Sequence, residues 1–221
     1  AGLDWDISPQ QNLRVNSNFN TNNSSSRAGT DFNFLSEEFA LKRVRNQLSA
    51  ADGSSHNFVF NADYSLKGQD NGDKLTVGLT YNTNNNDNLR LLDQHYILPV
   101  TAKPSLRENT SGIGNNGLTL NLDYDRPIFK KRDQLEAGIM YNYRKNSNDQ
   151  LVRDFDFNTQ QYVISEKLSN EFLYNERIIA GYTSYNYRGK SIGVKAGIRA
   201  ELTDVDFDLS TGSNYNVKPY L

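Results

Sequence analysis

Asp204, Asp206 and Asp208 alternate in the stretch TDVDFDL. Carboxylates spaced two apart share one side of an extended chain, where they could gather a hard cation such as calcium. The calcium loop of the EF-hand type also needs glycine at its sixth position and glutamate at its twelfth. Counted from Asp204, those positions hold Leu209 and Tyr215. A hydrated lumen or loop wall is therefore the expected setting for the three aspartates. QDNGD at 69–73 is similarly acidic and reads as a hairpin turn.

His56 and His95, the two histidines, are expected in different loops and read as solvated side chains. His95 beside Asp93 is the nearest approach to a base with an orienting carboxylate. No Gly-x-Ser-x-Gly elbow, phosphate loop or HExxH sequence accompanies it. The chain has no cysteine, so thiolate metal sites and disulfides are excluded. The expectation is a protein that is not an enzyme and holds no cofactor or metal. Lys103, Lys130, Lys131, Arg107, Arg126 and Arg132 are scattered basic charge, and the sequons at Asn22, Asn23 and Asn109 matter only in a eukaryotic secreted protein. With 24 Lys and Arg against 26 Asp and Glu, no basic excess is available to neutralise phosphates, so no nucleic-acid partner is expected.

The elements that would carry any site are strands. In SIGVKAGIRAEL, residues 191–202, Ile192, Val194, Ala196, Ile198, Ala200 and Leu202 alternate with Ser191, Gly193, Lys195, Gly197, Arg199 and Glu201. Period-two alternation marks a strand with one apolar face. The same pattern recurs at 3–7, 13–19, 58–66, 75–81, 118–124 and 135–143. Residues 172–187 are strand-like, with neither face clearly apolar. That makes eight strands in one segment covering 1–221. Short turn sequences at 8–11, 67–74, 126–134 and 188–191 alternate with long Asn-, Ser- and Asp-rich connections at about 20–56, 83–116 and 145–171. Connections longer than about 12–15 residues are uncommon in compact domains. Outer-membrane barrels, in contrast, pair short periplasmic turns with long extracellular loops.

Hydrophobic residues make up 36% of the chain, below the ordinary globular share of about 45–50%, while 13 Tyr and 11 Phe are present. A thin apolar coat around a wet interior gives that balance. No apolar run approaches the 18 or so residues of a membrane helix, so any crossing must be by a closed barrel. If Ile192, Val194, Ile198 and Leu202 face lipid, no charge touches hydrocarbon. In the opposite register Lys195 and Arg199 would each cost about 2–4 kcal/mol near the midplane. Lys195, Arg199 and Glu201 are therefore expected to face the lumen. Tyr64, Tyr81, Tyr124, Tyr141 and Tyr143 fall near strand ends on the apolar face, where interfacial aromatic girdles sit.

ERIIAGYTSYNYRGKSIGVKAGIRAELTDVDFDL, residues 176–209, resembles a hairpin of TonB-dependent outer-membrane receptors, specifically their "outer membrane protein beta-barrel" subgroup. Glu176, Ala180, Tyr182, Gly197, Arg199, Glu201 and Thr203 carry the likeness, with AGIRAELT its most specific run. DWDISPQQNL, FNADYSLKG and the terminal NYNVKPYL are similar to other blocks of that subgroup. The resemblance implies an energy-coupled transporter in the bacterial outer membrane, whose barrel of about 22 strands is plugged by an N-terminal domain. Its partners would be outer-membrane lipid, that plug domain, a TonB-type energy-coupling protein and an extracellular ligand of unknown identity. This chain, with fewer strands, no visible plug and Ala1 in first position, reads as a portion of such a barrel, the other reading being an independent eight-stranded barrel closed around a side-chain-filled interior. The alternative is a soluble, secreted all-β binding module, lectin-like or adhesive, and a third reading is a small lipid-acting barrel enzyme.

Overall fold

The computed structural model describes residues 1–68, 72–99, 101–129, 133–189 and 192–211. The terminal NYNVKPYL, Lys130, Lys131, Arg132, the core of the QDNGD turn and the end of the RGKS turn lie outside the described residues. The strands are β1 (Gly2–Ser8), β2 (Gln11–Leu35), β3 (Leu41–Lys67), β4 (Lys74–Leu98), β5 (Ser105–Ile128), β6 (Asp133–Asp156), β7 (Gln161–Ile164), β8 (Asn170–Arg188) and β9 (Gly193–Thr211). The chain is all-β and every pairing is antiparallel. The strand order follows the sequence, with β7 as a short branch on β6. This is the up-and-down arrangement expected from the hairpin pattern. β9 begins at Gly193, which leaves Ile192 in the turn before it, its carbonyl accepting from the Gly189 amide at 2.9 Å.

One layer of sheet is present, and all contacts between elements run between hydrogen-bonded neighbours. Among the described residues only Asp133, Gly138, Val152 and Ala180 are buried. Ile198 is 77% exposed, Leu202 75% and Ile139 58%. A soluble sandwich would cover such side chains with a second sheet about 10 Å away. No second sheet covers them among the described residues. β1 and β9 are the edges of the sheet and do not touch among the described residues.

The long Asn-rich connections prove not to be loops. β2 and β3 stay in register from Gln11↔Leu66 up to Phe34↔Arg43, and the reversal itself is confined to Ser36–Ala40. There the Ser36 carbonyl accepts from the Phe39 amide at 3.0 Å, and Phe39 takes φ 60°. β4 and β5 run to Gln94↔Ser105, and β6 and β8 to Gln150↔Asn170. The sequence pattern hides this because both faces of these upper segments are mainly polar, with leucines such as Leu48, Leu89 and Leu91 too sparse to mark one of them. With no apolar face to bury, period-two alternation vanishes even where the ladder continues. The ladder persists because it satisfies every backbone donor and acceptor along the segment. β2 extends about 16 residues beyond the alternating stretch, roughly 50 Å along the strand.

Candidate functional site

Register aligns the alternating stretches into one band. Trp5, Leu13, Tyr64, Val77, Leu122, Ile139, Gly181 and Ala200 form a single row across the sheet, one residue per principal strand. The apolar face reaches from Leu66 to Phe58 on β3 and from Val194 to Leu202 on β9, about nine residues each. At about 3.3 Å per residue and a tilt near 40°, that is roughly 20–25 Å, close to the apolar height of outer-membrane barrels. Aromatic rings mark both margins. Tyr64, Tyr124, Tyr185 and Tyr187 lie toward the short turns, and Phe19, Phe58, Tyr81 and Tyr143 toward the tall end. Tyr124 donates to Asp73 at 2.8 Å and Tyr185 to Asp133 at 2.6 Å, so these hydroxyls are tied to carboxylates of the short turns. The strand whose faces the pattern left open resolves too: Ile179, Tyr185 and Tyr187 join the apolar face, Tyr182 and Ser184 the other.

The opposite face is mainly polar, with Val59, Met140 and Ile178 among its few apolar side chains. Lys195 and Arg199 lie on it with Glu201, while Val194, Ile198 and Leu202 lie on the apolar side. Lys195 reaches across β8 to Glu136 on β6 at 2.5 Å, and Ser184 donates to the same carboxylate at 2.9 Å. Arg199 pairs with Glu201 on its own strand at 2.9 Å. Tyr182 crosses Gly138 to donate its hydroxyl to Asp123 on β5. A Cβ on Gly138 would stand 2.5 Å from the Tyr182 ring and 2.6 Å from the Asp123 carboxylate, so the ring occupies the space that glycine leaves open. An open recess of about 400 Å³ is lined here by Glu136, Tyr182, Ser184, Lys195 and Arg199. Higher up, Asn82, Asn115, Asn142, Arg144 and Asn146 line another of about 250 Å³. Tyr182 and Arg199 were legible as resemblance positions, but the tyrosine's partners were not, because they depend on register across three strands.

The chemistry-bearing residues singled out in the sequence are kept apart. His56 accepts or donates at 2.9 Å to Thr21, and His95 meets Asp93 at 2.8 Å. They stand opposite Asn85 and Asn46, roughly 30 Å apart along the sheet. Asp204 pairs with Arg177 at 3.2 Å, and its strand parity puts Asp204, Asp206 and Asp208 on the apolar-side face just above Leu202. They sit outside the wall, not on its polar face. No group of three or more metal-ligating side chains occurs among the described residues. Arg107 makes a bidentate pair with Asp154, at 2.7 and 3.3 Å.

Sequence reading missed a constellation at the top of the β2–β3 hairpin. Arg43 stacks over the Phe34 ring and Arg45 over Phe32, each at 4.4 Å from the centroid. The two phenyl rings stack at 6.4 Å. The available signal was the shared two-residue spacing within Phe32/Phe34 and Arg43/Arg45 on either side of the Ser36–Ala40 turn, offset by one residue at the irregularity next to Leu35.

In the third excursion Asp156 fixes the turn between β6 and β7. Its carboxylate accepts from the Asn158 amide at 2.8 Å and the Thr159 hydroxyl at 3.1 Å. These bonds, the Asn158 amide foremost, hold the Asp156 carboxyl below the usual carboxylate range. The depressed pKa means this ordering is complete above the ordinary aspartate value of about 4 and is lost as pH falls through the lower folded value. Amide exchange at Asn158 is therefore expected to stay slow and level from pH 7 to about 5, after correction for intrinsic rates, and to accelerate below about 4. Asp156→Asn should remove that acid-side transition.

The family model described as the outer membrane protein beta-barrel family matches residues 66–221. No curated protein and no solved structure matches the chain. The matched span begins at the end of β3 and takes in every later hairpin, including the Tyr182–Gly138–Asp123 row and the Lys195–Glu136 pair. A single-layered, sequentially paired sheet with an uncovered apolar band is what such a barrel presents to lipid. The chain belongs to the outer membrane protein beta-barrel family, and its place is the bacterial outer membrane.

Proposed function

We propose that this chain is a stretch of barrel wall in an energy-coupled uptake receptor of the TonB-dependent kind. The observation that carries the reading is the open sheet: eight principal strands in sequence order whose outer members, β1 and β9, do not meet among the described residues. Strands of a wide barrel, continued on both sides, have this geometry, whereas a side-chain-filled barrel of about eight strands closes on itself. The resemblance of residues 176–209 to TonB-dependent receptors adds to it. In this reading Val194, Ile198 and Leu202 meet outer-membrane lipid, with Ile192 at the rim, and Lys195, Arg199 and Glu201 face the lumen. A plug domain and a TonB-type protein would supply gating and energy. The tall polar hairpins would form the vestibule that receives the ligand, since recognition residues tend to project from a rigid scaffold.

The test is uptake of labelled ferric chelates, oligosaccharides and peptides by cells with and without the gene. Deletion should abolish uptake of at least one solute class, and a protonophore should abolish that same uptake in intact cells. Uptake unchanged by deletion for every class, or lost by deletion yet indifferent to the protonophore, would overturn energy-coupled transport.

A further inference from the structure

The upper wall is electrostatically two-sided. On the polar face of β2–β5, above the apolar band, the charged side chains are Arg43, Arg45, Arg90 and Arg107. Asp31, Asp52, Asp87 and Asp93 of the same strands all lie on the opposite face. Of the four arginines only Arg107 has a carboxylate partner among the described residues, and Glu37 and Glu38 in the turn above pair with neither Arg43 nor Arg45. Cations left without counter-charges on one face of a wall attract anions from solution.

Arg43 and Arg45 are also prearranged. Each guanidinium carbon stands 4.4 Å from the centroid of a phenyl ring, a cation–π contact that restricts where the charge sits. Arg45 donates one bond, to Gln94 at 3.3 Å, and Gln94 is held in turn by Gln47 at 3.0 Å. The Arg45 Nε is buried and has no hydrogen-bond partner among the described residues, so it is the terminal nitrogens that face the solvent side. The two guanidiniums sit on one strand two residues apart, so their forks are about 6–7 Å apart. Planar forks at that spacing match two oxyanion groups better than one.

We propose that the polar face at the top of the β2–β3 hairpin captures a solute carrying two oxyanion groups, carboxylate or phosphate, with one group at Arg43 and the other at Arg45. This rests on the reading of that face as the inner wall of an uptake vestibule, and it narrows the ligand to dianionic or more highly charged solutes.

Calorimetry on the full-length protein in detergent tests it, using citrate, fructose 1,6-bisphosphate, acetate and maltotriose as probes. Citrate or the bisphosphate should bind at least tenfold more tightly than acetate, and maltotriose should not bind. Whichever of the two binds tighter distinguishes carboxylate from phosphate as the natural group. The R43Q/R45Q pair should weaken that binding at least tenfold. Arg27→Gln, a cation lost from the opposite face of the same hairpin, should leave it unchanged. Should the double variant fail to show the heat-modifiable band of a folded barrel, the exposed Arg43→Gln alone carries the test, with the same direction of change. No binding of either dianion, equal binding by the arginine variants, or equal loss in Arg27→Gln would each overturn the proposal. Equilibrium binding needs no energy source, so a site confirmed here alongside protonophore-insensitive uptake would refute the transport reading while sparing this one.

Discussion

Arginine in place of Ile198 is expected to abolish outer-membrane insertion, while Lys195→Gln, three residues away, is tolerated. Ile198 lies midway between Val194 and Leu202 on the apolar face, opposite Thr183 of β8, and is 77% exposed. A guanidinium at that depth costs about 2–4 kcal/mol. Total stability of a folded domain is commonly only about 5–15 kcal/mol, so one such term takes a large share of it. Lys195 points the other way and keeps more than half its side chain exposed. Its pair with Glu136 is a wet ion pair, worth at most about 1 kcal/mol. The measurement is the fraction of protein recovered from outer membranes with heat-modifiable migration on SDS gels. Ile198→Arg should lose that fraction almost entirely and Lys195→Gln should keep it. The same outcome at both positions would mean that the faces have been assigned the wrong way round.

Gly138→Val is expected to be the most damaging single change on the polar face. Glycine is required there by a close approach, not by backbone conformation: the Tyr182 ring lies over the Cα on its way to Asp123. A valine would push that ring off, adding overpacking of about 1–3 kcal/mol to the loss of a hydrogen bond to a carboxylate, itself about 1.5–3 kcal/mol. Because β5, β6 and β8 are all joined at this row, a net loss of about 3 kcal/mol should appear as a lower urea midpoint for refolding into lipid vesicles. Tyr182→Phe removes the hydroxyl and leaves the ring seated, so it should cost roughly half as much. Equal costs would show that the hydrogen bond alone matters and that the ring's seat on glycine does not.

The lower wall was legible because its two sides differ. Wherever one face is apolar and the other wet, as from Val194 to Leu202 or Leu118 to Tyr124, alternation gave strand, face and order together. β8 escaped because Ile178 and Ile179 are adjacent and tyrosines fall on both parities, so neither register was favoured until the neighbours fixed it. The upper wall escaped for a related reason. A run such as NTNNNDN has the same composition as a surface loop, and only a partner strand reveals it as extended ladder. The arginine–phenylalanine stack lay inside that unread region. Its residues are ordinary one at a time and become a site only when Phe32 faces Arg45 and Phe34 faces Arg43.

Each principal strand bonds only to the strands before and after it in the chain, apart from the β7 branch. Assembly of this wall therefore never waits on a distant part of the polypeptide. Hairpins could be added one at a time, each templated by the strand already laid down, in the order in which the chain is made. Such nearest-neighbour wiring also confines damage, because a fault in one hairpin is felt by two seams and not by the whole circumference. It lets evolution lengthen, shorten or rewrite a single hairpin tip without renegotiating the rest of the wall.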